Sequence, residues 1–195
     1  MNDLILVGPK ASGKTTFTEV LIQGTVPREH LSTISNGVPV KYKTVFLCFG
    51  NKYYILDSGG ADNEVAQYDK WIKESNKIAF VFNGIELLEE VKKCENGGKI
   101  TSLCRKICKM LDENKLGIPL YFIATHEDMY EGTKGLKSEI YDSLRDANDK
   151  YKEITSNNAQ RYSFYSRMIG SLFTLDATNN DEVKHTFNSI VKEKY

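Results

Sequence analysis

An excess of charge of either sign is missing from this chain. Across 195 residues, 26 Lys and Arg side chains balance 26 Asp and Glu. A general electrostatic pull toward nucleic acid or an anionic membrane is therefore not expected, and any anionic ligand must be held locally. Long apolar runs are missing too. None approaches the ~18 residues of a membrane span, and the N-terminus has no signal-peptide pattern. Residue 2 is Asn rather than Gly, and the chain ends KEKY with no Cys nearby, so no direct lipid anchor is expected. Cysteine is sparse: positions 48, 94, 104 and 108 form no CxxC pair and have no neighbouring His at zinc spacing. Cys104 and Cys108 stand one helical turn apart, which reads as core thiols in a reducing compartment. The expectation is a cytoplasmic protein, at membranes only through a partner. Arginine is scarce as well. Its positions, 28, 105, 145, 161 and 167, do not cluster into the cationic lid that a small nucleotide or metabolite kinase needs.

The length fits one domain, 1–195, with enough chain to bury a substantial core. Short apolar or alternating segments bounded by Gly, Asn, Asp or Pro predict strands at 3–7, 38–49, 53–57, 78–83, 120–125 and 171–175. Helical segments fall between them at 14–23, 65–74, 99–113, 135–153 and 181–192, with an extra helical piece at 85–91. In the 99–113 segment Ile100, Leu103, Ile107 and Leu111 form one stripe, and in the 135–153 segment Leu136, Ile140, Leu144, Ala147 and Tyr151 form another. Such alternation implies an α/β fold with a mostly parallel sheet covered on both faces. The exception is the pair at 38–57: the short GNK at 50–52 reads as a hairpin and makes strand 2 an antiparallel edge.

Against that background the stretch GPKASGKT at 8–15 stands out. It matches GxxxxGK[ST] and lies between an apolar strand and the start of a helix, where the mechanism requires it. Gly8 and Gly13 let the backbone turn without Cβ clashes, so N–H groups from Ala11 and Ser12 through Thr16 can converge on phosphate oxygens at a positive helix N-terminus. Lys14 would bridge β- and γ-phosphates, and the Thr15 hydroxyl would ligate Mg²⁺.

Downstream, YILDSGG at 54–60 ends an apolar strand on an aspartate. Asp57 is placed to hold Mg²⁺ through water, and the Gly60 N–H to contact a γ-phosphate. IATHED at 123–128 has the shape of an [NT]KxD motif built on Thr125, His126 and Asp128. LDAT at 175–178 has the shape of an SA or CAT motif built on Asp176, Ala177 and Thr178. The Asp128 carboxylate would accept from the guanine N1–H and amine, while the Ala177 N–H donates to O6; adenine reverses that pattern.

With these motifs in this order the chain resembles the Ras-like small GTPases over nearly its whole length. DSGGAD at 57–62, Trp71, FVFNG at 80–84 and DATNNDEV at 176–183 look closest to the Arf-like and signal-recognition-particle-receptor-β branch. The resemblance implies a P-loop G domain with strand order 2-3-1-4-5-6, GTP or GDP and Mg²⁺ as ligands, and two mobile switch segments. Effector and regulatory proteins would then meet the segments 24–38 and 57–75. In the first switch Thr33 is the leading hydroxyl for Mg²⁺, with Ser35 and Thr25 behind it. Arg28 reads as a solvated loop arginine rather than a cis arginine finger.

Departures from the pattern shape the functional expectation. His126 replaces the usual lysine, as in the THxD of Roc-type G domains; its ring could lie against the purine, but lysine's aliphatic packing and charge are lost. The residue after DxxG is Ala61, which cannot orient water, and Gln67 lies farther along. A molecular switch with slow hydrolysis is expected, and a constitutively loaded assembly subunit is the alternative. The stretch 85–98 reads equally as a partner-binding insertion or a solvated helical extension.

Overall fold

The computed structural model describes residues 2–25, 40–42, 53–57, 65–93, 98–114, 116–154 and 164–192. Its strands are β1 (Asn2–Val7), β2 (Val40–Tyr42), β3 (Tyr53–Asp57), β4 (Lys77–Asn83), β5 (Leu120–Thr125) and β6 (Leu172–Thr174). The helices are α1 (Lys14–Gln23), α2 (Val65–Glu74), α3 (Gly84–Lys93), α4 (Lys99–Glu113), α5 (Leu136–Ile154), α6 (Phe164–Met168) and α7 (Asn180–Lys192). β1 pairs in parallel with β3 on one side and β4 on the other; β5 follows β4 and β6 follows β5, also in parallel. β2 runs antiparallel to β3, with Val40 opposite Asp57, so the described strands stand in the order β2-β3-β1-β4-β5-β6. Residues 43–52, including GNK at 50–52, lie outside the described residues.

Continuous apolar runs become strands buried on both faces, because alternate side chains leave a strand in opposite directions. Ile5 and Val7 of β1, Ile78, Phe80 and Phe82 of β4, and Leu120, Phe122 and Ala124 of β5 face a layer that includes α2 through α6. Leu4 and Leu6, Ala79 and Val81, and Tyr121 and Ile123 face the opposite layer, built from α1 and α7. The first layer is aromatic at its centre, where Phe80 lies 5.7 Å from Phe82 and 6.3 Å from Phe122 between ring centroids. Ile100, Leu103, Ile107 and Leu111 are all buried, as are Leu136, Ile140 and Leu144. Cys104 and Cys108 are free thiols in the α4 stripe, and burial pushes the Cys104 thiol well above its ordinary range. Cys48 and Cys94 lie outside the described residues. Among the described residues no helix is long and apolar enough to cross a membrane.

Two helices depart from the sequence reading. α6 spans only Phe164–Met168, too short for a periodic signal, yet both its ends are buried. The extra piece at 85–91 is the longer α3, which is joined to the core rather than free in solvent. The Asn83 side chain accepts from the Ile85 and Glu86 N–H groups at 3.0 and 3.2 Å, capping α3, while Leu87 and Leu88 are buried. The next helix is capped from this one. Gly98 offers α4 no side chain, and a Cβ there would stand 2.0 Å from Glu90 Cδ. The Glu90 carboxylate instead accepts from Ile100 N–H at 2.9 Å and Thr101 N–H at 3.2 Å. A carboxylate on exposed helix donors gains both hydrogen bonds and a favourable dipole. We expect Glu90→Ala to lower the unfolding free energy by about 1–2 kcal/mol in urea titration, with Glu90→Gln recovering part of the loss. An unchanged midpoint for Glu90→Ala would show that water replaces the cap at no cost.

Candidate phosphate-binding site

The site is built at the edge where the parallel strands end. β1 delivers the chain to Gly8 (φ 152°), after which Ala11 (φ 62°) and Gly13 (φ 85°) also take positive φ and turn the backbone back into α1. Gly8 is required by proximity as much as by conformation, since a Cβ there would lie 1.9 Å from the Val81 carbonyl oxygen of β4. The loop closes around the Lys14 ammonium, which donates to Gly8 O at 3.0 Å, Pro9 O at 2.7 Å and Ser12 Oγ at 3.3 Å. Lys14 is only 5% exposed, so its charge is already fixed inside the ring. Gly13 provides no side-chain cap for α1, and the first turn has no acidic side chain to compete with an incoming anion. Thr15 and Thr16 open that helix, half-buried.

A second segment is tied to the first. The fully buried Thr125 hydroxyl, at the end of β5, lies 3.1 Å from Ser12 O of the loop and 3.1 Å from Phe82 O of β4. His126 follows with φ 67°, its Nδ1 2.8 Å from Thr125 Oγ1. A 3-10 turn over Glu127–Met129 then leaves Asp128 exposed at the same edge. The turn after β6 is held beside it: Leu175 N–H donates to Ala124 O at 3.0 Å and Glu127 N–H to Leu175 O at 3.4 Å. The Asp176 carboxylate takes hydrogen bonds from the Thr178 N–H at 2.8 Å and the Thr178 hydroxyl at 2.7 Å, folding a tight turn around the buried Ala177.

Gly8, Ala11, Ser12, Gly13, Lys14, Thr15 and Thr16 therefore share one sheet edge with Thr125, His126, Asp128, Asp176, Ala177 and Thr178. Asp57 closes β3 next to Leu6 of β1, at that edge. Thr33, Ser35, Arg28, Gly60 and Ala61 lie outside the described residues. Thr25 lies beyond Gly24, the C-cap of α1, about 15 Å along the helix from Lys14, so the structure removes it as a phosphate-side hydroxyl. Within the 57–75 segment, Tyr68, Trp71 and Ile72 face the core, and Asp69 accepts from Asn114 Nδ2 at 3.0 Å. A partner there would meet the opposite face of α2. The sequence reading leaves out Glu182, whose carboxylate accepts from Asp176 N–H at 2.8 Å and from Asn179 Nδ2 at 2.8 Å. Its signal was present: Asn179 and Glu182 have capping-box spacing at the start of α7.

No protein-family model and no curated protein matches the chain. The chemistry of the site consequently rests on the loop, the enclosed lysine and the strand ends. Gly8→Ala should destabilise the ligand-free protein by about 3 kcal/mol or more, because both φ and the Val81 carbonyl oppose it. Gly135→Ala, where a Cβ meets nothing within 4 Å, should stay within about 0.5 kcal/mol. Thermal unfolding of the two variants side by side is the measurement, and equal melting temperatures would refute the close approach of the loop to β4.

Proposed function

We propose that this chain is a GTP-binding protein of the Ras-like small-GTPase kind, a P-loop G domain with the six-strand order 2-3-1-4-5-6. It acts as a Mg²⁺-dependent molecular switch with slow hydrolysis. The observation that carries the reading is the Lys14 ammonium enclosed by the Gly8–Gly13 loop, with the Asp128 segment hydrogen-bonded to that loop through Thr125. The order of the described strands supports it. Lys14 offers fixed positive charge to the β- and γ-phosphates, and loop N–H groups around Ala11 to Thr16 supply further donors. Thr15, Asp57 and Thr33 are the residues that would hold Mg²⁺, which when bound neutralises charge on the phosphates. The donor chemistry fits a hard cation: two hydroxyls and a carboxylate, with no thiol or imidazole.

Asp128 is exposed and so able to accept from guanine, while the Thr178-to-Asp176 turn fixes the backbone around Ala177, whose N–H would donate to O6. The Gly60 N–H contacts the γ-phosphate in this reading and lets go after hydrolysis, so that segments 24–38 and 57–75 change their fit to effector and regulatory proteins. Neither nucleic acid nor a direct membrane anchor is part of the proposal, and the compartment is the cytoplasm.

The nucleotide that copurifies with the protein, identified by mass spectrometry, tests the class, and GDP or GTP is the expected answer. Calorimetry should show Lys14→Ala weakening Mg²⁺-GTP affinity by about 100-fold or more, since a charge-assisted contact to each of two phosphates is lost. Asp128→Asn should move preference toward xanthine nucleotides, because an amide can donate to the 2-oxo group. A wild-type preference for ATP would refute the guanine assignment, and undiminished binding by folded Lys14→Ala would remove the phosphate site.

Ala61 also favours a second reading, in which the nucleotide stays loaded and serves assembly. Single-turnover phosphate release separates the two. At or below the ~10⁻⁴ s⁻¹ of an unassisted Ras-like protein the reaction is slow, as expected with no side chain at Ala61 to orient water. Hydrolysis that accelerates in Ala61→Gln identifies the missing group, whereas rapid wild-type hydrolysis abolished by Gln67→Ala would reassign it to Gln67.

A further inference from the structure

The hydrogens at Thr125 can be counted. Its hydroxyl has one proton and two lone pairs, and three polar atoms surround it: Ser12 O and Phe82 O at 3.1 Å each, and His126 Nδ1 at 2.8 Å. The two carbonyls can only accept. If Nδ1 also presented a lone pair, the single proton would be drawn to this nearest neighbour, and hydroxyl and carbonyl oxygens would face one another without a proton in a fully buried position. If Nδ1 carries the proton, the imidazole donates to Thr125 Oγ1, and the single hydroxyl proton is free for the two carbonyls of the loop and β4, which share it as a three-centre hydrogen bond.

The geometry points to His126 as a positioning residue whose Nδ1–H, by donating to Thr125 Oγ1, leaves the Thr125 hydroxyl proton to the Ser12 and Phe82 carbonyls and so helps to hold the loop on the ends of β4 and β5. This assigns to His126 a role distinct from stacking on a base. It also accounts for the residue's backbone, because φ 67° presents the ring nitrogen back to the preceding side chain, and His, Asn and Asp are the side chains that most readily tolerate this region. Lysine, the residue usual at this position in the proteins the chain resembles, has three donors on a long flexible stem and no ring nitrogen to fix beside the preceding hydroxyl. The affinity arm of the test below rests on the nucleotide reading; the spectroscopic arm does not.

Long-range ¹H–¹⁵N spectra of the ligand-free protein, with His126 assigned by the signals missing from His126→Asn, should show a proton on Nδ1. A ring protonated only at Nε2 overturns the proposal, whatever the protein binds. For affinity, fluorescent GDP is titrated into three variants. His126→Gly accepts φ 67° without strain but deletes the donor, and should weaken binding about tenfold. His126→Asn tolerates the same φ and keeps an N–H where Nδ1 stands, and should recover affinity to within about threefold of wild type. In a Thr125→Val background the Gly substitution should cost less than about twofold more, because its hydrogen-bond partner has gone. Equal loss in His126→Gly and His126→Asn, or full additivity with Thr125→Val, overturns the proposal. Should the wild type bind no guanine nucleotide, the functional reading fails alone, and the tautomer still decides the role of His126.

Discussion

Gly8 lies so close to the Val81 carbonyl that a single added carbon would meet it at 1.9 Å. Much of the site depends on that approach. Because the loop rests directly on β4, its next turn reaches the end of β5, where Gly13 packs against Thr125 and the Thr125 hydroxyl meets the Ser12 carbonyl. The buried Lys14 then places its ammonium on the loop carbonyls of Gly8 and Pro9. A cation held in place before any anion arrives would require little reorganisation on binding, which is the basis of the proposed phosphate site. A loop lifted by even one ångström would take the Ser12 carbonyl out of reach of the Thr125 hydroxyl, which would keep only Phe82 O and His126 Nδ1 as neighbours.

The strand ends around the loop serve several neighbours at once. Phe82 O faces the Thr125 hydroxyl, the next residue Asn83 caps α3, and Gly84 packs so closely on Leu136 that a Cβ would sit 2.8 Å from Cδ2. α3 thereby belongs to the layer that supports the site, and through Glu90 it also starts α4. The helix α3 thus begins at the same end of β4 that meets the Thr125 hydroxyl. Its outward face, with Glu86, Glu89, Lys92 and Lys93, remains exposed. The helices α1 and α7 cover the other sheet face, with Phe17, Val20 and Leu21 against Val183, Phe187 and Ile190.

Much of this was legible in the order of residues, for identifiable reasons. LILV at 4–7 and IAFVF at 78–82 have to be strands buried on both sides, since no amphipathic arrangement can hide such runs on one. The stripes of α4 and α5 follow from 3.6-residue spacing, and the tight turn at GPKASGKT follows from its glycines at positions 8 and 13, between an apolar strand and a helix. Capping at Asn179 and Glu182 was also written in local spacing. α6 was not, because five residues contain too little period to read; its burial comes from Phe164 and Met168 meeting strands and helices distant in sequence.

What tertiary structure alone decided is which separated residues meet. Sequence order says nothing of Val81 O standing over Gly8, of Ser12 and Thr125 joining across 113 positions, or of Glu90 reaching the start of α4. Nor does it say that His126 turns its Nδ1 onto the preceding hydroxyl, since that depends on a φ of 67° set by the turn after β5. By itself the sequence determined the strands, the principal helices and the glycine turn that joins β1 to α1, all of which are governed by periodicity and short-range backbone chemistry. The partners of each polar group were settled only when the sheet brought its strand ends together, because a hydrogen bond depends on distances of a few tenths of an ångström that no local pattern encodes.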